Sequence, residues 1–135
     1  MTPKRSRTRK GQTAYRAGHR IEWLALIWLM LKGYRILGFR LKTPGAEIDL
    51  LAVSGTRLVV VEVKARRTLI EALEALGPDQ QTRLLRAATD LIARHPRLAP
   101  RRAGETPLKA RLDLMAFCPG RWPVHVRDIG ASEFR

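Results

Sequence analysis

Cysteine and acidic residues are the two classes that this 135-residue sequence has in short supply. Cys118 is the only cysteine, so an internal disulfide is excluded and a reducing, cytoplasmic compartment is favoured. The three histidines, His19, His95 and His125, lie far apart, and their spacing does not match a zinc site. The fold therefore has to be stabilised by a hydrophobic core rather than by disulfides or zinc.

Long hydrophobic runs are also missing. The apolar run at residues 23–31 is too short to span a membrane, and no small-residue cleavage site follows it as in a signal peptide. The sequence contains no internal repeat, no Walker-type glycine loop and no Ser/His/Asp arrangement that its spacing would single out. With 45% hydrophobic residues, the chain is expected to form one globular domain.

Basic residues outnumber acidic ones by 26 to 12, which gives a net charge of +14. This charge predicts a polyanionic partner, with nucleic acid first and an anionic membrane surface second. Residues 1–16 contain six basic residues and no acid, and we predict that they form a disordered basic arm. Residues 17–135 form the predicted domain, and the chain without its arm still carries a net charge of +8.

Two segments with alternating apolar residues, 46–53 and 58–64, flank a break that contains Gly55. This pattern predicts a β-hairpin. A short turn would pair Val53 with Leu58 and Asp49 with Glu62. A register slip of one residue would set carboxylates against valines and is rejected, whereas a slip of two residues remains open.

The few acids in the first half of the chain are concentrated in this hairpin. Only four occur in residues 1–70, namely Glu22, Glu47, Asp49 and Glu62, and the last three share one hairpin face. Directly opposed carboxylates have Cβ atoms roughly 5 Å apart, so they need a shared proton or a bound cation. Lys64 lies on the same face, opposite Glu47 in this register. Two supporting roles of Glu47 remain open: it tunes the charge of Lys64, or it forms a structural salt bridge with it. An ordinary solvated strand face is the alternative interpretation.

The helix predicted at residues 17–32 is apolar around nearly its whole circumference, which is typical of a buried helix. Glu22 lies in its first turns. Two interpretations of Glu22 remain open: a buried carboxylate that needs a charged partner, a hydrogen bond or a metal, or an acid that is simply favourable near a helix N-terminus.

The remaining segments alternate between strand and helix patterns. We predict a strand at residues 34–40, a short helical or mobile segment at 68–76 and an amphipathic helix from Gly77 to about His95. Two further strands follow at residues 110–117 and 124–126, and Pro123 favours an edge position for the last one. Asp113 is expected to have a structural role and to pair with Arg111 or with a neighbouring basic strand residue. The fold class is therefore α/β, with a mixed sheet of about five strands and flanking helices.

Five short motifs occur in a characteristic order. They are Gly18-x-x-x-Glu22-x-x-Ala25, Lys32-Gly33-Tyr34-Arg35-Ile36-Leu37, Glu47-Ile48-Asp49-Leu50-Leu51-Ala52, Val61-Glu62-Val63-Lys64-Ala65-Arg66 and Arg111-Leu112-Asp113. Over about residues 15–130 the chain resembles the bacterial YraN family, which is similar to archaeal Holliday-junction resolvases of the restriction-endonuclease-like PD-(D/E)xK superfamily. It departs from the family pattern by one extra residue between Gly45 and Glu47, and by Leu112 in place of a common phenylalanine.

The resemblance implies a restriction-endonuclease-like core and a magnesium- or manganese-dependent endonuclease that acts on DNA, including branched DNA. Carried over by position, the catalytic residues are Glu22, Asp49, Glu62 and Lys64, with the three acids as metal ligands. The basic or polar residues expected near the nucleic acid are Arg40, Lys42, Arg66, Arg67 and Gln80.

The resemblance also implies a homodimer, and no membrane partner is expected. Two other function classes remain open. One is a non-catalytic module that binds DNA or RNA, in which the acids only balance a basic surface. The other, less favoured, is a protein whose arm binds an anionic membrane. Gln80 also has a simpler interpretation, as a residue that only solvates its helix.

Overall fold

The computed structural model describes residues 20–130. The elements in chain order are α1 (residues 20–31), β1 (Arg35–Lys42), β2 (Glu47–Ser54), β3 (Arg57–Ala65), α2 (Leu69–Glu74), α3 (Pro78–Arg94), a 3-10 turn (Pro96–Leu98), β4 (Lys109–Phe117) and β5 (Val124–Val126). The predicted basic arm lies outside the described residues. No helix within residues 20–130 has the length and apolar character that crossing a bilayer requires.

The five strands form one sheet in the order β1-β2-β3-β4-β5. All neighbours are antiparallel except β3 and β4, which run parallel and are joined by a crossover that contains α2 and α3. The predicted α/β fold with a mixed five-stranded sheet is therefore confirmed. The predicted hairpin register is also confirmed from Val53–Leu58 as far as Leu50–Val61, and β5 is an edge strand as expected.

Helices cover both faces of the sheet. On one face, α1 contributes Ala25 and Leu29 to a cluster with the β2–β3 residues Leu50, Ala52, Val59, Val61 and Val63. On the other face, α3 contributes Leu84 and Ala88 to a cluster with Ile48, Leu51, Leu58 and Val60, while Ala72 of α2 packs on Leu114 and Ala116. From the sequence, the acidic face of the hairpin is expected to open to solvent. This expectation is wrong, because α3 packs on Leu51, Leu58 and Val60 of that face.

Local sequence signals set the ends of the two crossover helices. Thr68 caps α2, and its side chain accepts a hydrogen bond from the backbone N–H of Glu71. Pro78 occupies the first turn of α3, where its missing N–H costs nothing, and Arg94 lies in the last turn near the negative end of the helix dipole. The segment left open as helical or mobile is thus a short helix.

The prediction that α1 is buried all round is wrong. Only Ala25 and Leu29 of this helix are fully buried. A helix lying on an open sheet face contacts that face along one side, and hydrophobic residues on its other side stay uncovered unless another element packs there. Five of them are exposed, namely Trp23, Leu24, Ile27, Met30 and Leu31.

Asp113 is fully buried at the centre of a polar network on the α1 side of β4. Its carboxylate accepts hydrogen bonds from Arg111 Nε at 2.9 Å, from the backbone N–H of Asp128 at 2.9 Å and from His125 Nε2 at 2.7 Å. Burial alone would raise the pKa of Asp113, but the bonds from His125 and Arg111 outweigh it and lower the pKa. The expected pairing of Asp113 with Arg111 is confirmed.

The same network reaches the end of α1. Arg111 Nη2 donates to the Tyr34 hydroxyl at 2.7 Å, and Lys32 Nζ donates to His125 Nδ1 at 2.8 Å. Because Lys32 donates to Nδ1, the proton shared with Asp113 is carried by Nε2 of His125. The network thereby ties the α1–β1 connection to β4 and β5.

Candidate active site

The regular pairing of β2 with β3 ends at Leu50–Val61. If the same register continued, Ile48 would face Val63. Instead, the backbone N–H of Val63 donates to Asp49 Oδ2 at 3.0 Å, and Ile48 packs in the cluster on the α3 side of the sheet. The carboxylate of Asp49 thus takes the place of a main-chain acceptor at the point where the ladder stops.

Asp49 and Glu62 are not the directly opposed ladder partners that the hairpin pattern predicted. Their carboxyl groups nevertheless lie close enough for each to shift the pKa of the other. Glu62 is only 3% exposed. Its burial, together with the neighbouring charge of Asp49, raises its pKa to about 8. Burial also raises the pKa of Asp49, although the hydrogen bond from Val63 opposes this. At neutral pH the pair therefore holds a proton unless a cation replaces it.

One oxygen of this pair has no donor. Glu62 Oε1 is buried, and no hydrogen-bond donor within residues 20–130 reaches it. Lys64 Nζ lies 3.8 Å from the other oxygen, Oε2, and the Lys64 side chain is partly exposed. The predicted Glu-x-Lys arrangement is therefore present as a close ion pair beside Asp49.

Glu22 approaches the pair from α1. It forms an ion pair with Arg40 Nε at 3.1 Å. Its pKa is raised mainly by burial and also by the charge of Asp49, while Arg40 lowers it. Of the two interpretations of Glu22, the one with a charged partner describes this contact. Within the described part of the chain, however, no three Asp, Glu, His or Cys side chains form a group that could hold a metal.

The backbone of β1 is irregular beside the carboxylates. Arg40 has a φ of +54°, a left-handed conformation that is uncommon outside glycine. It lies between the ladder pairs Phe39–Leu50 and Leu41–Ile48, which places it level with Asp49. A left-handed non-glycine residue costs on the order of 1 kcal/mol and is maintained only where its surroundings impose it. Here the ion pair with Glu22 is one such constraint.

The other predicted residues lie around this centre. Glu47 is exposed at the start of β2, close enough to raise the pKa of Asp49, but it has no ladder pairing with Lys64. Arg66 and Arg67 directly follow β3 and line a shallow pocket. Gln80 is in the first turn of α3, and no hydrogen bond within residues 20–130 joins it to the carboxylates.

The structure contains a basic cleft that the sequence did not predict. Of its basic residues, only Lys42 was among those expected near the nucleic acid. The cleft is a cavity of about 420 Å³ between the β1–β2 turn and the outer side of α3. Its charged lining consists of Lys42, Arg83, Arg86, Arg94 and Asp90, with His95 at one end. The available signal was the spacing of the three arginines, three and eight residues apart, on the exposed side of an amphipathic helix.

The model of the uncharacterised protein family UPF0102 matches residues 21–117. The chain belongs to this family. A UPF0102 protein of Caulobacter vibrioides (strain NA1000 / CB15N) is 53% identical over 122 residues, which cover 90% of this chain and 92% of that one.

Other UPF0102 proteins are similar over comparable lengths. One from Chelativorans sp. (strain BNC1) is 51% identical over 121 residues, covering 90% of this chain and 92% of its own. One from Bartonella tribocorum is 41% identical over 131 residues, covering 97% and 92%. These matches confirm the resemblance to the YraN family, because the YraN family is the uncharacterised protein family UPF0102. The UPF0102 name itself specifies no activity.

Proposed function

We propose that this UPF0102 protein is a divalent-metal-dependent endonuclease that hydrolyses DNA phosphodiesters, with branched DNA as its substrate class. The observation that carries the proposal is the close pair of the buried Glu62 and the half-buried Asp49, next to Lys64, in a protein of net charge +14. Buried like-charged groups with raised pKa values are typical of functional sites.

The donor set fits a small hard cation. Glu62 Oε1 is a buried oxygen without a donor, and the repulsion within the carboxylate pair is relieved by a positive ion as well as by a proton. Magnesium and manganese prefer such carboxylate oxygens. Asp49 and Glu62 would hold the ion. Glu22 forms no three-residue group with them and would therefore reach the ion through bound water. Such an ion supplies a more acidic bound water and neutralises charge on a phosphate.

The protein's own groups then have separate roles. Lys64 is partly exposed and forms an ion pair with Glu62, so its ammonium group can orient the attacking water or assist its deprotonation. Arg40 holds Glu22 in place through their ion pair. Glu47, at the exposed start of β2, adds negative charge near Asp49 and supports a cation at this position.

The basic cleft supports a nucleic-acid substrate. Its turn residues Thr43, Pro44 and Gly45 lead directly into β2. At about 3.3 Å per residue, Gly45 lies within roughly 13 Å of Asp49 along the chain. A phosphodiester backbone bound to Lys42 and the α3 arginines would therefore continue towards the carboxylates. Arg66 and Arg67 lie at the end of β3, just beyond Lys64.

A non-catalytic nucleic-acid-binding module is the second candidate function. It is favoured by one observation: within the described residues, no three potential ligands form a metal-holding group. In that case the basic cleft would bind nucleic acid, and the carboxylate pair would remain protonated and inert.

The two functions are separated by an assay over a panel of single-stranded, duplex and four-way-junction DNA with matching RNAs. We expect cleavage of DNA in millimolar magnesium, none in EDTA, and a preference for the junction. Purified Asp49→Asn protein is the control for contaminating nuclease, since it should bind the same DNA without cutting it. Binding by both proteins with no magnesium-dependent cleavage of any substrate would establish the binding module instead.

A further inference from the structure

The outward side of α1 is a continuous apolar surface. Trp23, Leu24, Ile27, Met30 and Leu31 are 50 to 78% exposed and occupy successive turns of the same helix face. Arg20, at the first described position, is the one charged residue on this face. We call these five residues the α1 patch.

The helix on the opposite side of the sheet provides an internal comparison. The exposed positions of α3 are nearly all polar, as expected for a helix side that faces water. They include Asp79, Thr82, Arg83, Arg86 and Asp90. The same chain therefore follows the usual pattern on one face of its sheet and departs from it on the other. Such a departure is characteristic of an interaction surface.

The α1 patch is large enough to form a specific protein–protein interface. With about 150–250 Å² for a large side chain, five side chains exposed to half or more present roughly 500 Å². That is near the upper end for the largest patch of a monomeric protein, about 300–600 Å². Trp122, which is 78% exposed and stacks on Trp28, extends it at one side. Two such patches in contact bury roughly 1,000 Å² or more, the lower limit for a specific interface.

We propose that the α1 patch binds the same patch of a second copy, with the two helices antiparallel about a two-fold axis at Ile27. The order of the residues fits this symmetry. Trp23 and Leu31 lie four residues before and after Ile27, and Leu24 and Met30 lie three residues before and after it. In an antiparallel pair, Trp23 of one copy meets Leu31 of the other, and Leu24 meets Met30. Every apolar side chain then has an apolar partner, as an isologous interface requires.

The charges are consistent with this arrangement. Arg20 would lie beyond Trp23, next to the C-terminal end of the other copy's α1, where the helix dipole favours a cation. Each copy carries a net charge of +14, and the repulsion between the two copies opposes association at low salt. Salt screens this repulsion but does not weaken apolar contacts, so the dimer is expected to become stronger as salt rises. Binding to nucleic acid or to an anionic membrane responds to salt in the opposite direction.

The test is light scattering on the full chain at tens of micromolar, in low and high salt. Wild type and Thr82→Glu, a charge added on the polar face of α3, should both be dimers. Ile27→Glu and Ile27→Lys should be monomers with unchanged circular dichroism, because each sets two like charges against each other at the axis. An equimolar mixture of the two Ile27 variants should regain the dimer mass, since Glu then faces Lys.

A monomeric wild type in high salt would overturn the proposal. So would an Ile27→Glu variant that remains dimeric, or a mixture of the two variants that stays monomeric, because only a two-fold axis at this residue brings the substituted positions together. The proposal does not depend on nuclease activity, and each of these results is independent of the cleavage assay.

Discussion

Replacement of Asp113 by alanine is expected to lower the free energy of unfolding by about 3–5 kcal/mol. The change removes the acceptor of Arg111, His125 and the Asp128 backbone, and it leaves a largely buried guanidinium without its carboxylate. A loss of this size is a large fraction of the roughly 5–15 kcal/mol that holds an ordinary domain folded. Urea denaturation followed by circular dichroism measures it directly.

Two further variants test the cause. Glu105→Gln removes the exposed pair Arg101–Glu105 and should cost less than about 1 kcal/mol. The double variant Arg111→Met with Asp113→Leu should recover much of the stability lost in Asp113→Ala, because it removes both charges together. A cost below 1 kcal/mol for Asp113→Ala would show that the network contributes little to the fold.

Replacement of Asp49 by asparagine is expected to reduce magnesium-dependent cleavage at least about a hundredfold, since even residues that only orient metal ligands cost about 10–100-fold when lost. Without metal, the same variant should be as stable as wild type or more stable. Asparagine can still accept the hydrogen bond from the Val63 N–H, while one of two neighbouring carboxylates is removed. Lys64→Ala should differ, because it loses cleavage but keeps metal-dependent stabilisation.

The carboxylate pair also predicts how stability depends on pH. The pKa of Glu62 is raised from 4.5 to about 8, so between these values the folded metal-free protein holds a proton that the unfolded chain has released. Stability from this group is therefore greatest below pH 4.5 and is lost as the pH rises to 8, at up to about 1.4 kcal/mol per pH unit. Asp49→Asn should shorten the pH range of this loss, because removal of the neighbouring charge lowers the pKa of Glu62 in the folded protein.

Thermal melts of wild type, Asp49→Asn and Lys64→Ala from pH 5 to 8, with and without millimolar magnesium, measure both effects. Magnesium at a hundred times its dissociation constant would stabilise wild type by about 2.7 kcal/mol. Identical responses of wild type and Asp49→Asn to pH and to magnesium would remove the basis for a metal site at this pair.

Much of the fold follows from local patterns. The hairpin register was predictable to within two residues, because carboxylates and apolar residues alternate with period two on β2 and β3. A slip of one residue would mix them and is rejected, whereas a slip of two residues would keep them apart and is left open. The start of α3 was predictable from Gly77 and Pro78, which mark a helix N-terminus in any context.

The distortion at the site was not predictable from the same patterns. Nothing in the alternation of β2 indicates that its pairing with β3 begins only at Leu50 and excludes Asp49. The break in pairing depends on the hydrogen bond between Asp49 and Val63 and on the conformation of Arg40 in the neighbouring strand. The prediction of a directly opposed Asp49–Glu62 pair was therefore wrong about the backbone pairing, although the two carboxyl groups do lie close together.

The environment of α1 was mispredicted for a related reason. Hydrophobicity around a helix predicts that its faces are covered, but not by which element or by which chain. Similarly, the arginines of α3 lie on the exposed side of an amphipathic helix, and they line a cleft only because the β1–β2 turn lies across from them. Both features depend on how separate elements are placed, which local periodicity does not encode.

Because the sheet contains a single parallel pairing, the length of chain that a strand contact must close differs greatly between its two halves. Ser54 and Arg57 meet across a two-residue turn, whereas Arg57 meets Lys109 only after 52 residues of chain. By loop-closure entropy, the second contact costs roughly 2 kcal/mol more than the first. The carboxylates on β2 and β3 therefore belong to the half of the sheet with the lowest contact order, while β4 closes the most costly loop and leaves the outer edge of β3 unpaired until it arrives.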